Sequence, residues 1–375
     1  MCGDYDCLII GAGPAGSAAA YHLAKRGHRV AVLEKGARPG LKPCGGGVSP
    51  QVAEWFEFDL GPVVEARVRR CRFTLQGREP VEFESDGRDI LWMVRRERFD
   101  AFLLAQAMAQ GAELMLSRPA LRLAFNGGAW EVDTPQGPLR GRFLVAADGA
   151  KGRSARWLGL GGRLRVGAAL ELEGPVAPPE GAPLCIDFGS VKAGYLWNFP
   201  KRDGQSLGIG TLDGIQGRTL RGILEPYAAG FGLDPAACTV VAHPIHVWNG
   251  NRQLHTRQAL LAGEAACAVD PFTVEGIRPA IRTGIWAAEA VHAALAGRDG
   301  ALDGYSLRFR ELDREMRWAR RLATVFFGMP ATLYRAAVMS AGGPRIMARL
   351  LQGEATYAEV ARSALTRLGG GLAAP

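Results

Sequence analysis

The chain has 375 residues, 48% of them hydrophobic and 22% charged, which excludes a disordered protein and suits one large domain or two interleaved ones. Its formal net charge of +8 points to an anionic partner: nucleic acid, a membrane surface, an acidic protein or a phosphorylated substrate. Seven cysteines without a C-x-x-C pair argue against a zinc site or a disulfide framework and fit reduced thiols in the cytoplasm, and no apolar run reaches the roughly 18 residues of a spanning helix.

The first predicted element is a buried strand, Tyr5–Ile10, followed by Gly11-x-Gly13-x-x-Gly16 and a helical pattern to about Arg26. A second strand, Arg29–Leu33, ends at Glu34. In this strand–turn–helix–strand setting, with an acid about 20 residues on, the glycines mark a dinucleotide-binding turn. Gly11 permits the tight turn, Gly13 lets backbone approach a pyrophosphate, and Gly16 packs helix on strand. The helix N-terminus offers N–H groups to phosphates, and Glu34 can accept from ribose hydroxyls. The candidate contacts are Gly11, Gly13, Ala15, Gly16, Glu34 and Lys35. This stretch alone leaves FAD and NAD both open.

Next comes "LEKGARPGLKPCGGGVSP" (33–50), which sets Cys44 against Gly45, Gly46 and Gly47. Alternating apolar residues with Gly and Pro turns fill 67–94 and 164–253, as in "CRFTLQGREPVEFES" and "SLGIGTLDG", and predict an antiparallel sheet. Between them stand "RRERFD" (95–100), with the spacing R-x-x-F-D, and "GRFLVAADGAKGRSARWLGL", a strand ending at Asp148-Gly149. "GYLWNFPK" (194–201) is a strand whose alternation puts Tyr195, Trp197 and Phe199 on one face. "QALLAGEAACAVDPFTVEGIRPAIRTG" (258–284) is a strand ending at Gly263-Glu264, a loop with Pro271, and a helix opened by Gly276-Ile277. His243, His246 and His255 lack metal-ligand spacing and are expected to be structural, with no metal site.

With these segments in hand, the chain resembles the FAD-dependent superfamily that includes p-hydroxybenzoate-hydroxylase-like monooxygenases and geranylgeranyl reductases. The resemblance implies an α/β fold: a Rossmann-like FAD-binding domain of glutathione-reductase/p-hydroxybenzoate-hydroxylase type (1–66, 95–163, 254–300), an inserted antiparallel-sheet substrate domain (67–94, 164–253) and a helical C-terminal region (301–375). It also implies an FAD whose ribityl and pyrophosphate lie along 263–277, with Gly263, Glu264, Pro271, Gly276 and Ile277 as contacts. Arg96, Ala120 (near a strand whose backbone this family lays against the adenine), Asp148 and Gly149 are further contacts on the same ground. Three residues depart from the superfamily pattern: Glu264, Cys267 and Val274 stand where Asp, Gly and Gly are usual. A β-branched Val274 excludes a positive φ without strain, which implies an altered or weaker flavin seat.

Y-x-W-x-F-P together with P-C-G-G-G, and the closing "LLQGEATYAEV", are similar to the geranylgeranyl reductase branch, over about residues 5–368. In that branch the cysteine–glycine loop lies beside the isoalloxazine, which makes Cys44, Gly45, Gly46 and Gly47 cofactor neighbours. The implied reaction saturates isolated C=C bonds of a prenyl chain by hydride transfer from reduced FAD plus protonation. Tyr195 and Trp197 would line the alkene slot, and Cys44 or a water it positions would supply the proton. The implied substrate is a prenylated lipid or prenyl diphosphate. Without a second G-x-G-x-x-G turn, the electron donor is NAD(P)H bound transiently or an acidic protein such as ferredoxin.

The tail 305–350 carries nine arginines against three acidic residues, in helices broken near Pro330 and Gly342-Gly343. It suits either a solvated face or peripheral docking on an anionic membrane, with Phe326, Phe327 and Leu333 toward acyl chains. The expected location is cytoplasmic with peripheral membrane association; nucleic acid is not expected as a partner, since no recognisable module accompanies the charge. Two rival functions stay open on the sequence: a flavin-dependent monooxygenase or hydroxylase of an apolar or aromatic substrate, with a halogenase disfavoured by the lack of W-x-W-x-I-P, and a non-catalytic flavin carrier.

Overall fold

Apart from Asp6 near its start, Tyr5–Ile10 is apolar and buried because it lies inside a parallel sheet, paired with Leu139–Ala146 on one side and Val30–Leu33 on the other. The structure, a computed structural model, describes residues 5–39, 44–160, 162–214, 217–250 and 253–370. Residues 40–43 of the cysteine–glycine loop and 371–375 of the tail lie outside the described residues. The chain divides into two compact units: Met1–Lys42, Arg96–Arg165 and Ile245–Arg314 form the first, and Pro43–Arg95, Val166–Pro244 and Glu315–Pro375 the second.

In the first unit the parallel strands run in the order Ala259–Leu261, Leu139–Ala146, Tyr5–Ile10, Val30–Leu33, Glu113–Met115. The antiparallel pair Arg122–Asn126 and Ala129–Asp133 extends it through Leu139–Ala146. The helices Pro14–Ala24 and Ile277–Leu295 pack through small residues. A Cβ on Gly284 would lie 2.2 Å from the Ala15 carbonyl oxygen, so only glycine permits the observed approach. The early part of the helix Ala301–Gly328 joins this unit: the Tyr305 hydroxyl donates to the Leu261 carbonyl, and the Trp248 indole donates to Asp313 at 3.1 Å.

In the second unit a seven-stranded sheet runs in the order Thr239–Val247, Arg165–Gly174, Gln205–Thr211, Gly194–Pro200, Leu184–Phe188, Arg70–Leu75, Arg78–Glu84. It is antiparallel in most pairs, with Leu184–Phe188 and Arg70–Leu75 parallel. Alternation divides its faces. Leu170, Leu172, Leu196, Leu207 and Ile209 point to one side and form a core with Leu220, Leu224 and Ala228 of the helix Gly217–Ala229. A three-stranded sheet joins Gly47–Val48, Leu91–Val94 and Val64–Val68.

The unit boundaries differ from the sequence reading. Residues 43–66 group with the second unit, because Gly47–Val48 and Val64–Val68 both pair with Leu91–Val94. The tail breaks where Pro330 and Gly342 predict: helices run Ala301–Gly328, Pro330–Leu333, Gly343–Gln352 and Tyr357–Gly370. Its orientation corrects one expectation. Phe326 is buried and packs edge-on against Phe188 at 4.9 Å, so it is not free to face acyl chains. Exposed apolar side chains of the tail include Leu307, Val325, Met329 and Met339. Tyr334 anchors this region, its hydroxyl 2.8 Å from the Phe73 carbonyl oxygen and 2.6 Å from that of Glu79. Among the described residues no helix is long and apolar enough to cross a membrane.

Candidate functional site

The glycine turn of the first unit separates three roles sharply. Gly11 has φ +102°, and a Cβ there would sit 2.4 Å from the Ala147 carbonyl oxygen. A Cβ on Gly16 would sit 1.9 Å from the Gly11 carbonyl oxygen. Beside Gly13, by contrast, no atom lies within 4 Å of the Cβ position, so the turn is closed by two glycines and open at the third. Gly13 also begins the helix Pro14–Ala24, and no side chain caps that end. An open seat at an uncapped helix N-terminus is what a pyrophosphate requires.

Glu34 stands at the end of its strand with both oxygens engaged: Oε2 accepts from the Ala12 N–H at 3.0 Å and Oε1 from the Gly36 N–H at 2.8 Å. Lys35 beside it is exposed. The segment after Glu113–Met115 lies against this loop, with the Arg118 N–H donating to the Glu34 carbonyl and the Ser117 N–H to that of Gly36. Ala120 follows in the same loop, one residue before the Leu121 N–H that donates to the Asp133 carbonyl and two before the strand Arg122–Asn126. Asp148 caps the short helix Ser154–Trp157, its Oδ2 accepting from the Arg153 and Ser154 N–H groups and the Ser154 hydroxyl. Its Oδ1 is buried with no hydrogen-bond partner among the described residues. A buried carboxylate oxygen left so has the chemistry to accept from a ligand hydroxyl. Gly149, at φ +70°, leaves open space next to it. These features of the first unit fit the dinucleotide part of FAD.

The segment 263–277 answers the question raised by the three departures. Cys267 has φ +54° and Val274 φ +57°, so both keep the left-handed backbone for which glycine is usual. For Val274 the β-branch makes this a strained conformation, of about 1–2 kcal/mol. The loop that holds it is tightly tied: Asp270 Oδ1 accepts from the Phe272 and Thr273 N–H groups, and the Val274 N–H donates to the Asp270 carbonyl. Pro271 is buried within this turn. Gly263, at φ +62°, packs against Ala15, and its N–H donates to Thr283. The extra methylene of Glu264 carries its Oε1 to the His246 N–H at 3.0 Å. Gly276 and Ile277 open the long helix, where Glu275 accepts from the Arg278 N–H at 2.7 Å and burial pushes its carboxyl upward. Arg96 is buried in a two-pronged pair with Asp100, at 2.8 and 2.6 Å, which commits two of its N–H groups inside its own helix.

In the second unit the glycine run has an unexpected neighbour. A Cβ on Gly45 would lie 2.6 Å from the Phe199 ring and 2.8 Å from the Trp197 Nε1. Gly46 has φ +74°, a Cβ there would lie 1.9 Å from the Val94 carbonyl oxygen, and its own carbonyl accepts from the Val94 N–H at 2.8 Å. Gly47 begins the short strand beside Met93. The loop after Cys44 is thus glycine because backbone is pressed onto aromatic rings and a strand. Tyr195, Trp197 and Phe199 form a continuous row, with ring centroids 6.0 and 6.3 Å apart. The Trp197 indole N–H is buried and has no hydrogen-bond partner among the described residues.

Register across the sheet adds residues the sequence reading missed. Trp197 pairs with Gly208, and Gly208 with Glu171, so the three stand in one cross-strand line on the face opposite the leucine core. A Cβ on Gly208 would lie 1.9 Å from the Trp197 ring. Glu171 is buried, receives the Ser206 hydroxyl, and accepts from the Cys44 backbone N–H. Burial first, then the neighbouring Glu173, push its carboxyl up to about 7. Glu173 in turn binds the buried Lys201 ammonium at 3.0 Å. Cys44, Tyr195 and Trp197 therefore share one neighbourhood with a carboxyl that titrates near neutrality.

Comparison with known proteins places this geometry. The model of an NAD(P)-binding Rossmann-like domain matches residues 9–63. An uncharacterized protein of Methanosarcina barkeri is 30% identical over 329 residues, covering 86% of this chain and 84% of its own length. Digeranylgeranylglycerophospholipid reductase 1 of Methanopyrus kandleri is 28% identical over 342 residues, covering 83% and 88%. A crystal structure of a geranylgeranyl bacteriochlorophyll reductase-like protein from Thermoplasma acidophilum superposes with a TM-score of 0.83 at 24% identity, covering 97% of this chain and 99% of that one.

Proposed function

Because the chain belongs to the geranylgeranyl reductase family of FAD-dependent oxidoreductases, we propose that it saturates carbon–carbon double bonds in the geranylgeranyl chains of a glycerophospholipid. The observation that carries this reading is the row Tyr195–Trp197–Phe199 standing against the Cys44–Gly47 loop. An isolated alkene has no carbonyl to absorb charge, so its reduction develops positive character on the more substituted carbon. Aromatic faces attract such a centre, the more so when water is excluded.

When bound, reduced FAD supplies the hydride. The first unit's part is to hold the cofactor: the open turn at Gly13 seats its phosphates, Glu34 its ribose and Asp148 Oδ1 a hydroxyl. In the second unit Tyr195 and Trp197 line the alkene slot, and Cys44 passes a proton to the carbon that the hydride does not reach. The electrons come from a nicotinamide or from an acidic protein of ferredoxin type, which the net charge of +8 suits. A lipid substrate also gives the exposed Val325, Met329 and Met339, set among the arginines of the tail, a role in contact with an anionic membrane surface.

The test is anaerobic incubation of the dithionite-reduced protein with geranylgeranyl glycerophospholipid, geranylgeranyl diphosphate and a prenylquinone, followed by mass spectrometry. Gains in steps of two hydrogens on the glycerophospholipid are expected. Mass gains that require oxygen would replace this reading with the monooxygenase.

A further inference from the structure

Resting on the reductase reading above, we propose that Glu171 is the proton reservoir of the site: a positioning residue that holds Cys44 by its backbone and re-supplies the proton Cys44 delivers. The argument starts from register. Glu171, Gly208 and Trp197 occupy one line across three strands, and the middle residue has no side chain. The Trp197 ring fills the space above Gly208, so the aromatic wall and the carboxyl belong to the same strip of sheet surface. The Cys44 N–H donates to that carboxyl, which ties the loop bearing the thiol to it.

A buried carboxyl must find compensation for its charge or stay neutral. Burial and one neighbouring carboxylate outweigh the groups that favour the charge, so the neutral form persists up to about pH 7. Glu173, two residues along its own strand, repels a second negative charge; Lys201, just past the end of the aromatic strand, attracts one, yet its ammonium is bonded to Glu173 at 3.0 Å. From the glycine-bearing strand the Ser206 hydroxyl, and from the loop the Cys44 N–H, favour the charged form without cancelling the burial. The acid is therefore partly protonated at neutral pH and stabilised once its proton has left, which is what a proton donor needs.

The balance is simple. Two electrons reach one alkene carbon with the hydride that reduced FAD supplies. At the other carbon a C–H bond forms as the Cys44 S–H bond breaks; the Glu171 O–H bond then breaks to restore the thiol. The carboxylate, held by Ser206 and the Cys44 N–H, takes a proton from water before the next turnover.

The test uses the full-length FAD-loaded protein, with E171Q, E171D and S206A variants. In infrared difference spectra without substrate, a protonated-carboxyl carbonyl band is expected to titrate near pH 7 and to be missing in E171Q. Single-turnover reduction of the geranylgeranyl lipid is expected to fall as pH rises through that point. E171Q is expected to lose about 10²-fold or more in rate with FAD content unchanged, and E171D to recover part of it. S206A, lacking a hydrogen bond to the charged form, is expected to shift the alkaline limb to higher pH. E171Q turning over at the parent rate with the parent pH profile would overturn the proposal, as would a carboxyl band that does not titrate near neutrality. Failure of the parent protein to reduce any prenyl acceptor would instead overturn the reductase reading and the proposal with it.

Discussion

Trp197 lies so close to Gly208 that a Cβ on that glycine would sit 1.9 Å from the ring carbon Cζ2. The two residues are direct partners in the antiparallel pairing of Gly194–Pro200 with Gln205–Thr211. Gly210 faces the same ring at 3.6 Å, an ordinary contact. Gly208→Ala is therefore expected to displace the indole, cost roughly 1–3 kcal/mol in denaturant unfolding and abolish prenyl reduction. Gly210→Ala is expected to stay within about 0.5 kcal/mol of the parent and keep activity. Equal effects of the two substitutions would mean that Trp197 is not held by this contact.

Gly46 is constrained twice, by its φ of +74° and by the Val94 carbonyl oxygen 1.9 Å from its Cβ position. Gly46→Ala is expected to cost roughly 2–5 kcal/mol. Gly13→Ala, whose Cβ would meet nothing within 4 Å, is expected to leave apo-protein stability nearly unchanged and to weaken FAD binding. Calorimetry on the apo protein and flavin fluorescence titration separate the two.

At Val274 the usual order of substitutions is expected to invert. Its φ of +57° makes glycine better than alanine there, although glycine loses more entropy on folding. Val274→Gly is expected to be as stable as the parent or about 1 kcal/mol more stable and to bind FAD at least as tightly; Val274→Ala keeps the strain. Thermal melts in which the alanine variant exceeds the glycine variant would show that the loop relaxes out of this conformation.

The raised Glu171 carboxyl has a sign that stability measurements can read. Its folded-state value, about 7, lies above its ordinary value of 4.5, so the native state binds the extra proton in between. Stability from the neutral acid is full below 4.5 and is lost as pH rises through about 7. Against Glu171→Gln, which stays neutral, the parent is expected to lose relative stability across that window. Parallel pH–stability curves for the two would show that Glu171 is already ionised in the folded protein.

The turn at Gly11–Gly16 was legible because its requirements are local: a strand, three glycines at fixed spacing, a helix and an acid. The aromatic row was legible for the same reason, since alternation alone puts Tyr195, Trp197 and Phe199 on one face. What fixes Gly45 and Gly46 was not, because Trp197, Phe199 and Val94 reach them from distant parts of the chain. Glu171 was hidden more thoroughly. Leu-Glu-Leu-Glu is the pattern of a strand with one solvated face, and only the pairing with Gly208 and the Cys44 loop buries that face. Phe326 failed in the opposite direction: an amphipathic pattern states that a helix has an apolar side, not which of its side chains the protein itself covers.

The most direct measurement of the central claim is anaerobic recovery of flavin colour. The protein, loaded with FAD and bleached by a stoichiometric reductant, is mixed with geranylgeranyl glycerophospholipid and followed by visible absorbance. The account predicts that the oxidised-flavin band returns at a rate that rises with lipid concentration, and that Trp197→Ala, still carrying FAD, stays bleached. A band that returns only when oxygen is admitted, in the parent as in the variant, would contradict it.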